Sequence, residues 1–203
     1  MAEVECFFDC SSPWTYFAFE SLLRLQDEIG VTVEWKPFLV GGVFNAVNPS
    51  VYNSRDKPVA AKAAYGQKDQ MDWARHLGIR MHYRPTVFPV NSVKAMRACI
   101  VLEPEGKLVP FARETFKAYW TDDKDISQLP VLAEICGAVG VDAARLFAAI
   151  EQQPVKDRLR ALTQEVIDRG GFGSPTMFVG GDDMYFGNDR MPLVRDAVLR
   201  RRG

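Results

Sequence analysis

Strand-forming sequence in this 203-residue chain is confined to its two ends, and from about residue 40 to about residue 170 one helical pattern follows another. A sheet therefore has to be assembled from segments far apart in the chain, with a helical block returned to it as an insertion. The composition is that of an ordinary globular protein, 47% hydrophobic, 25% charged and 11% aromatic, and the length fits one large domain or a small domain carrying an insertion.

The first end predicts a strand at Val4-Glu5-Cys6-Phe7-Phe8-Asp9, rich in residues that suit a largely buried pleated surface. Ser12 then offers a hydroxyl N-cap and Pro13 a first helical position. Ala18, Leu22, Leu25 and Ile29 follow at helical spacing until Gly30 supplies a stop. Val31 to Lys36 predicts a second strand, parallel to the first across a right-handed βαβ crossover. At the other end, Thr176 to Val179 and Met184 to Phe186 flank a Gly180-Gly181-Asp182-Asp183 turn and read as a hairpin. A final helix runs from about Asp189 to Arg201, with Leu193, Ala197 and Val198 as its buried stripe. Between the ends, Pro58 to Leu77 is helix-compatible, Leu129, Leu132, Cys136 and Val139 share one helical face, and Leu159, Leu162, Val166 and Ile167 share another.

Twenty-five basic against 26 acidic residues leave a formal charge of −1, so no overall field draws the chain to nucleic acid or anionic lipid. The Arg200-Arg201-Arg202 tail reads as a solvated helix end that complements the helix dipole. No apolar run reaches membrane-spanning length, and acids stand where a secretory signal would be basic, so a cytoplasmic location is expected. Cys6, Cys10, Cys99 and Cys136 form no CxxC pair and no zinc spacing; no metal is expected, and Cys10 reads as a core residue.

Three stretches carry chemistry. In Phe8-Asp9-Cys10-Ser11-Ser12-Pro13, the Ser12 hydroxyl sits at a helix mouth, where unpaired N–H groups and the dipole favour an anion. With no base tied to it by any motif, Ser12 is suited to donating a hydrogen bond to another molecule's thiolate, or simply to capping the helix. In Gly173-Ser174-Pro175-Thr176, Pro175 opens a strand, and its peptide bond is open to cis or trans; the cis form would turn the Ser174 backbone outward toward a peptide-like ligand. In Phe186-Gly187-Asn188-Asp189-Arg190, Asn188 or Asp189 caps the last helix, and Asp189 is placed to receive an ammonium group.

Together the Asp9-x-x-Ser12-Pro13-x-Thr15-Tyr16 start, the Gly173 to Thr176 turn and the Phe186 to Arg190 end resemble the 2-hydroxychromene-2-carboxylate isomerase family. That family is related to kappa-class glutathione transferases and to thioredoxin-like disulfide oxidoreductases with an inserted helical domain. The resemblance implies an α/β, thioredoxin-like fold with a large inserted all-helical domain, residues 1–40 and 171–203 forming the first and 41–170 the second. It implies glutathione bound at the seam: Ser12 as the catalytic residue that holds the thiolate, Ser174 and Pro175 along the peptide backbone, and Gly187, Asn188, Asp189 and Arg190 around the γ-glutamyl end. Less specific matches place Asn53, Lys62, Asn91 and Ser92 at the substrate, where Asn91 and Ser92 read equally as the cap of a helix running to Leu102. Trp14, Phe44 and Tyr83 are candidate pocket walls or core, and Lys62 or Arg190 candidate partners of a substrate carboxylate.

The chain departs from the oxidoreductase relatives by carrying Ser12 and Thr15 where they carry cysteines, which removes their active disulfide. The resemblance therefore implies a glutathione-dependent isomerase acting on an aromatic α-keto acid, in a homodimer. The alternatives are a kappa-like transferase that conjugates glutathione to electrophiles, and a noncatalytic glutathione- or peptide-binding module.

Overall fold

A computed structural model describes residues 2–203. Four strands form one mixed sheet, β1 (Val4–Phe8), β2 (Val33–Pro37), β3 (Thr176–Val179) and β4 (Asp183–Phe186), in the order β2-β1-β3-β4. β1 and β2 are parallel, with Cys6 opposite Trp35. β3 runs antiparallel to β1, with Cys6 opposite Met177, and β4 antiparallel to β3. Helix α1 (Pro13–Ile29) joins the parallel pair, as the sequence predicts, and ends where Gly30 takes a left-handed φ of 64°. The hairpin turn likewise rests on positive φ values at Gly180 and Gly181.

The two faces of the sheet meet separate packed layers. Val4, Cys6 and Phe8 face a core shared with Phe19, Leu22 and Leu25 of α1 and with Val194, Ala197 and Val198 of α10 (Met191–Arg202). Phe7 and Phe178 face the other way, onto Phe38, Val43 of α2 (Val40–Val47), and Leu162 and Val166 of α9 (Gln153–Asp168). Phe7 is fully buried, and a ring of its size stabilises the fold by about 2–3 kcal/mol. On the same face Lys36 lies between Glu5 and Glu165, and Arg169 pairs with both acids while stacking 3.7 Å above the Phe178 ring.

The remaining helices are α3 (Ser50–Asp56), α4 (Ala60–His76), α5 (Val93–Leu102), α6 (Leu108–Trp120), α7 (Leu129–Val139) and α8 (Ala143–Ile150). α5 and α6 press Met96, Phe111, Phe116, Tyr119 and Trp120 into the core beside α1, and Tyr16 stacks on Phe116 with centroids 5.0 Å apart. Two helical stripes are buried as expected except at their first residues, with Ala197 and Val198 of α10 and Leu132 and Cys136 of α7 inside. Leu193 is 50% exposed and Val194 takes its place, and Leu129 is 40% exposed while Leu132, Ile135 and Cys136 are buried. The basic tail is more than a solvated end: Arg202 pairs with both carboxylate oxygens of Glu3 and donates to the carbonyls of Ile29 and Gly30, closing α10 over the end of α1. No helix among the described residues is long and apolar enough to cross a membrane.

Candidate functional site

The C-terminal end of β1 delivers the chain into α1 through Asp9. Its carboxylate is 1% exposed and accepts the backbone N–H of Ser11 at 2.9 Å and that of Val40, the first residue of α2, at 3.0 Å. The Ser92 hydroxyl, at the start of α5, donates to the same carboxylate. Three segments thus converge on one buried acid. Burial pushes its pKa up, and the hydrogen bonds offset part of that rise.

Ser12 follows as the N-cap of α1, with extended backbone and its hydroxyl accepting the Thr15 N–H at 3.3 Å. The same hydroxyl donates to the carbonyl of Ser174 at 3.1 Å, across 162 residues of chain. Beside it the Thr15 and Ser174 hydroxyls are 2.7 Å apart. The Ser174-Pro175 bond is cis, as is Phe88-Pro89. The third motif joins the same place. The Gly187 N–H donates to the Pro175 carbonyl at 3.2 Å, and the short 3-10 turn Asn188–Arg190 packs against α1. Gly187 has a φ of 97°, and a Cβ there would lie 2.7 Å from the Asp189 carboxylate, so only glycine gives this approach. Asn188 is 5% exposed, and its amide nitrogen has no hydrogen-bond partner among the described residues. Asp189 is half exposed and pairs with Arg190 at 2.7 Å.

The structure therefore brings Ser12, Ser174, Pro175, Gly187, Asn188, Asp189 and Arg190 to one end of α1. The substrate candidates are placed differently. Ser92 is buried and committed to Asp9. Asn91 caps α5 through the Val93 N–H at 3.0 Å, and Asn53 and Lys62 are exposed on α3 and α4 with no side-chain hydrogen bond or ion pair among the described residues. Trp14 packs against Phe17, Ala74 and Leu77, and so belongs largely to core. Two residues with clear roles were given none from sequence: Asp9 and Thr15. The Asp9-x-Ser11 spacing is itself a signal for an Asx turn, in which the carboxylate accepts an N–H two residues on; the Thr15 partner, 159 residues away, has no local signal.

The chain's own thiols are unsuited to nucleophilic work. All four cysteines are free and buried, and burial pushes the thiols of Cys6, Cys10, Cys99 and Cys136 up, keeping them protonated at neutral pH. A hollow of about 430 Å³ near Tyr16, Glu20, Arg80 and Arg113 does not include Ser12, and its Glu20 and Arg113 satisfy each other in a bidentate pair.

By their chemistry, the groups that remain at the mouth of α1 suit a thiol-bearing peptide such as glutathione. The orphaned Asn188 amide is a donor awaiting an acceptor, the half-exposed Asp189 carboxylate suits an ammonium, and Ser12 offers a hydroxyl beside helix N–H groups.

Comparison with known proteins agrees with this architecture. The family model of a DSBA-like thioredoxin domain matches residues 3–199. The 2-hydroxychromene-2-carboxylate isomerase of Pseudomonas putida is 29% identical over 201 residues, covering 97% of this chain and 94% of that one. Human glutathione S-transferase kappa 1 is 29% identical over 206 residues, covering 94% and 88%. A solved 2-hydroxychromene-2-carboxylate isomerase structure superposes with a TM-score of 0.84 at 25% identity, covering 98% of this chain and 95% of the other. The chain belongs to the DSBA-like thioredoxin family, and within it is similar to 2-hydroxychromene-2-carboxylate isomerases and kappa-class glutathione transferases.

Proposed function

We propose that the protein is a glutathione-dependent isomerase that interconverts 2-hydroxychromene-2-carboxylate and trans-o-hydroxybenzylidenepyruvate, or a similar aromatic α-keto acid. The observation that carries the reading is the Ser12 hydroxyl, which caps α1 and reaches Ser174, in a chain whose own cysteines are all buried. Bound glutathione would supply a thiolate that adds reversibly to a conjugated carbon, so that a former double bond can rotate. The chain's part is to hold that sulfur in place. Ser12 exchanges its bond to the Ser174 carbonyl for one to the sulfur, the Thr15 N–H keeps the hydroxyl oriented, and the positive end of the α1 dipole favours the anion. Asn188 and Asp189 bind the amino-acid end of the tripeptide, and the buried Thr15–Ser174 hydroxyl pair fixes the distance between α1 and the β3 entry.

The kappa-like transferase is the second reading, favoured by the equal identity, 29%, to human glutathione S-transferase kappa 1. Both use the Ser12 site and differ in what they do with the adduct. Ultraviolet spectra of 2-hydroxychromene-2-carboxylate, with and without glutathione, separate them for wild type and Ser12→Ala. The isomerase reading expects glutathione-dependent interconversion that falls about 100-fold or more in the variant. No interconversion in wild type, with glutathione still bound, sinks the isomerase and leaves the transferase to a screen of electrophiles.

A further inference from the structure

The loop between α4 and α5 holds a cation with no assigned role. Its backbone is pinned by the Trp120 carbonyl, which accepts the His82 N–H at 2.7 Å, and by Gln70, whose amide donates to the Tyr83 carbonyl at 3.1 Å. Asp123 accepts both the N–H and the hydroxyl of Thr86 at 2.6 Å, and the Tyr119 hydroxyl donates to the Val87 carbonyl at 2.9 Å. On this braced loop the guanidinium of Arg84 lies 5.5 Å from the ring centre of Tyr83 and 5.7 Å from that of Phe88. Arg84 is exposed and makes no ion pair among the described residues. Phe88 in turn packs edge-on to Trp120, centroids 6.4 Å apart, and the Trp120 indole N–H donates to the Cys10 carbonyl at 3.0 Å, two residues before Ser12.

We infer that Arg84 is the carboxylate-recognition residue of the substrate site, with Tyr83 and Phe88 as the aromatic wall beside it; this rests on the function proposed above. An arginine held beside two rings loses less freedom on pairing with a carboxylate than a free one, and its planar fork suits that group. The other candidates are less available or less fixed. Arg190 is paired with Asp189, and Lys62 is a mobile point charge on an exposed helix face. The ligand that matches a guanidinium framed by aromatic rings is an aromatic acid, with its ring against Phe88 and its carboxylate on Arg84.

Calorimetric titration of glutathione-free protein tests this without turnover, with benzylidenepyruvate and its methyl ester as probes. Wild type is expected to bind the acid at least about ten-fold more tightly than the ester, Arg84→Met to lose that preference while binding the ester unchanged, and Arg84→Lys to keep part of it. Equal binding of acid and ester by wild type overturns the assignment. So does a preference that survives Arg84→Met, or a loss that falls equally on both probes. If the acid preference behaves as expected but wild type shows no glutathione-dependent turnover, the isomerase reading fails and the recognition residue stands.

Discussion

Removing the Asp9 carboxylate tests the convergence of segments beneath Ser12. Asp9 is 1% exposed and receives the Ser11 and Val40 N–H groups and the Ser92 hydroxyl. In Asp9→Ala two half-buried backbone donors and the buried Ser92 hydroxyl lose a charged acceptor, and relief of the carboxylate's own burial offsets part of the loss. The net effect is about 3–4 kcal/mol, which for a chain of this size lowers Tm by about 10 °C. Asp9→Asn keeps one acceptor oxygen and turns an amide toward the other donors, for about 2 kcal/mol.

The pH dependence of Asp9→Asn separates burial from hydrogen bonding. Burial, the largest influence on Asp9, raises its folded pKa above the ordinary value of 3.8. With a raised folded pKa, the unfolded chain ionises first as pH climbs, and folding of the wild type becomes less favourable until the folded pKa is passed. The asparagine variant has no such loss. Its deficit relative to wild type is therefore largest below about pH 3.8 and shrinks as pH rises. Denaturant unfolding at a series of pH values measures this directly. A deficit that grows with pH, or an Asp9→Ala effect below about 1 kcal/mol, refutes the reasoning.

Glu3 is predicted to behave with the opposite sign. The Arg202 guanidinium and the Thr32 N–H hold its pKa down at about 2, against an ordinary 4.5. Its contribution is present above pH 4.5 and disappears as pH falls toward 2, so Glu3→Gln and wild type should differ in thermal stability at pH 7 and converge in acid; a constant gap across that range counts against the pairing. Gly187→Ala puts a side chain at a φ of 97° and 2.7 Å from the Asp189 carboxylate. It should cost about 1–2 kcal/mol and weaken glutathione binding in calorimetry, and an unchanged affinity would show that the Asn188–Arg190 turn is not part of that site.

Local signals made the sheet-bearing ends legible. Ser12, Pro13 and Gly30 delimit α1 because a cap, a first-turn proline and a left-handed stop each act within a few residues. The hairpin is legible for the same reason at Gly180 and Gly181. What sequence could not resolve depends on distant partners. Leu193 and Val194 are equally apolar neighbours, and only the position of α1 and β1 decides that Val194 is the one buried. Ser92 has a capping residue's sequence context, yet its hydroxyl is drawn to a carboxylate 83 positions earlier in the chain. The resemblance named Ser12, Ser174 and Asn188 together, while their physical relation, a hydroxyl bridging to a carbonyl 162 residues away, exists only after the sheet has formed.

The disposition of hydroxyls and thiols also explains why such a site would need a borrowed sulfur. A thiolate at the mouth of α1 would be stabilised by the helix dipole and by free N–H groups, but the residues placed there are Ser12 and Thr15, whose hydroxyls stay protonated at any physiological pH. Cys10, two residues earlier, points instead into the core, with its thiol directed at the Ala112 carbonyl and its pKa raised by burial. The chain thus keeps the environment that lowers a thiol's pKa and withholds the thiol itself. On the proposed function, an incoming thiol would find a donor in Ser12 without the chance of forming a disulfide with that residue, and so could add to a substrate and leave unchanged. Ser12→Cys reverses that logic. It should convert a reusable thiol site into one trapped as a mixed disulfide with oxidised glutathione, visible as a mass increase that dithiothreitol removes and that wild type does not show.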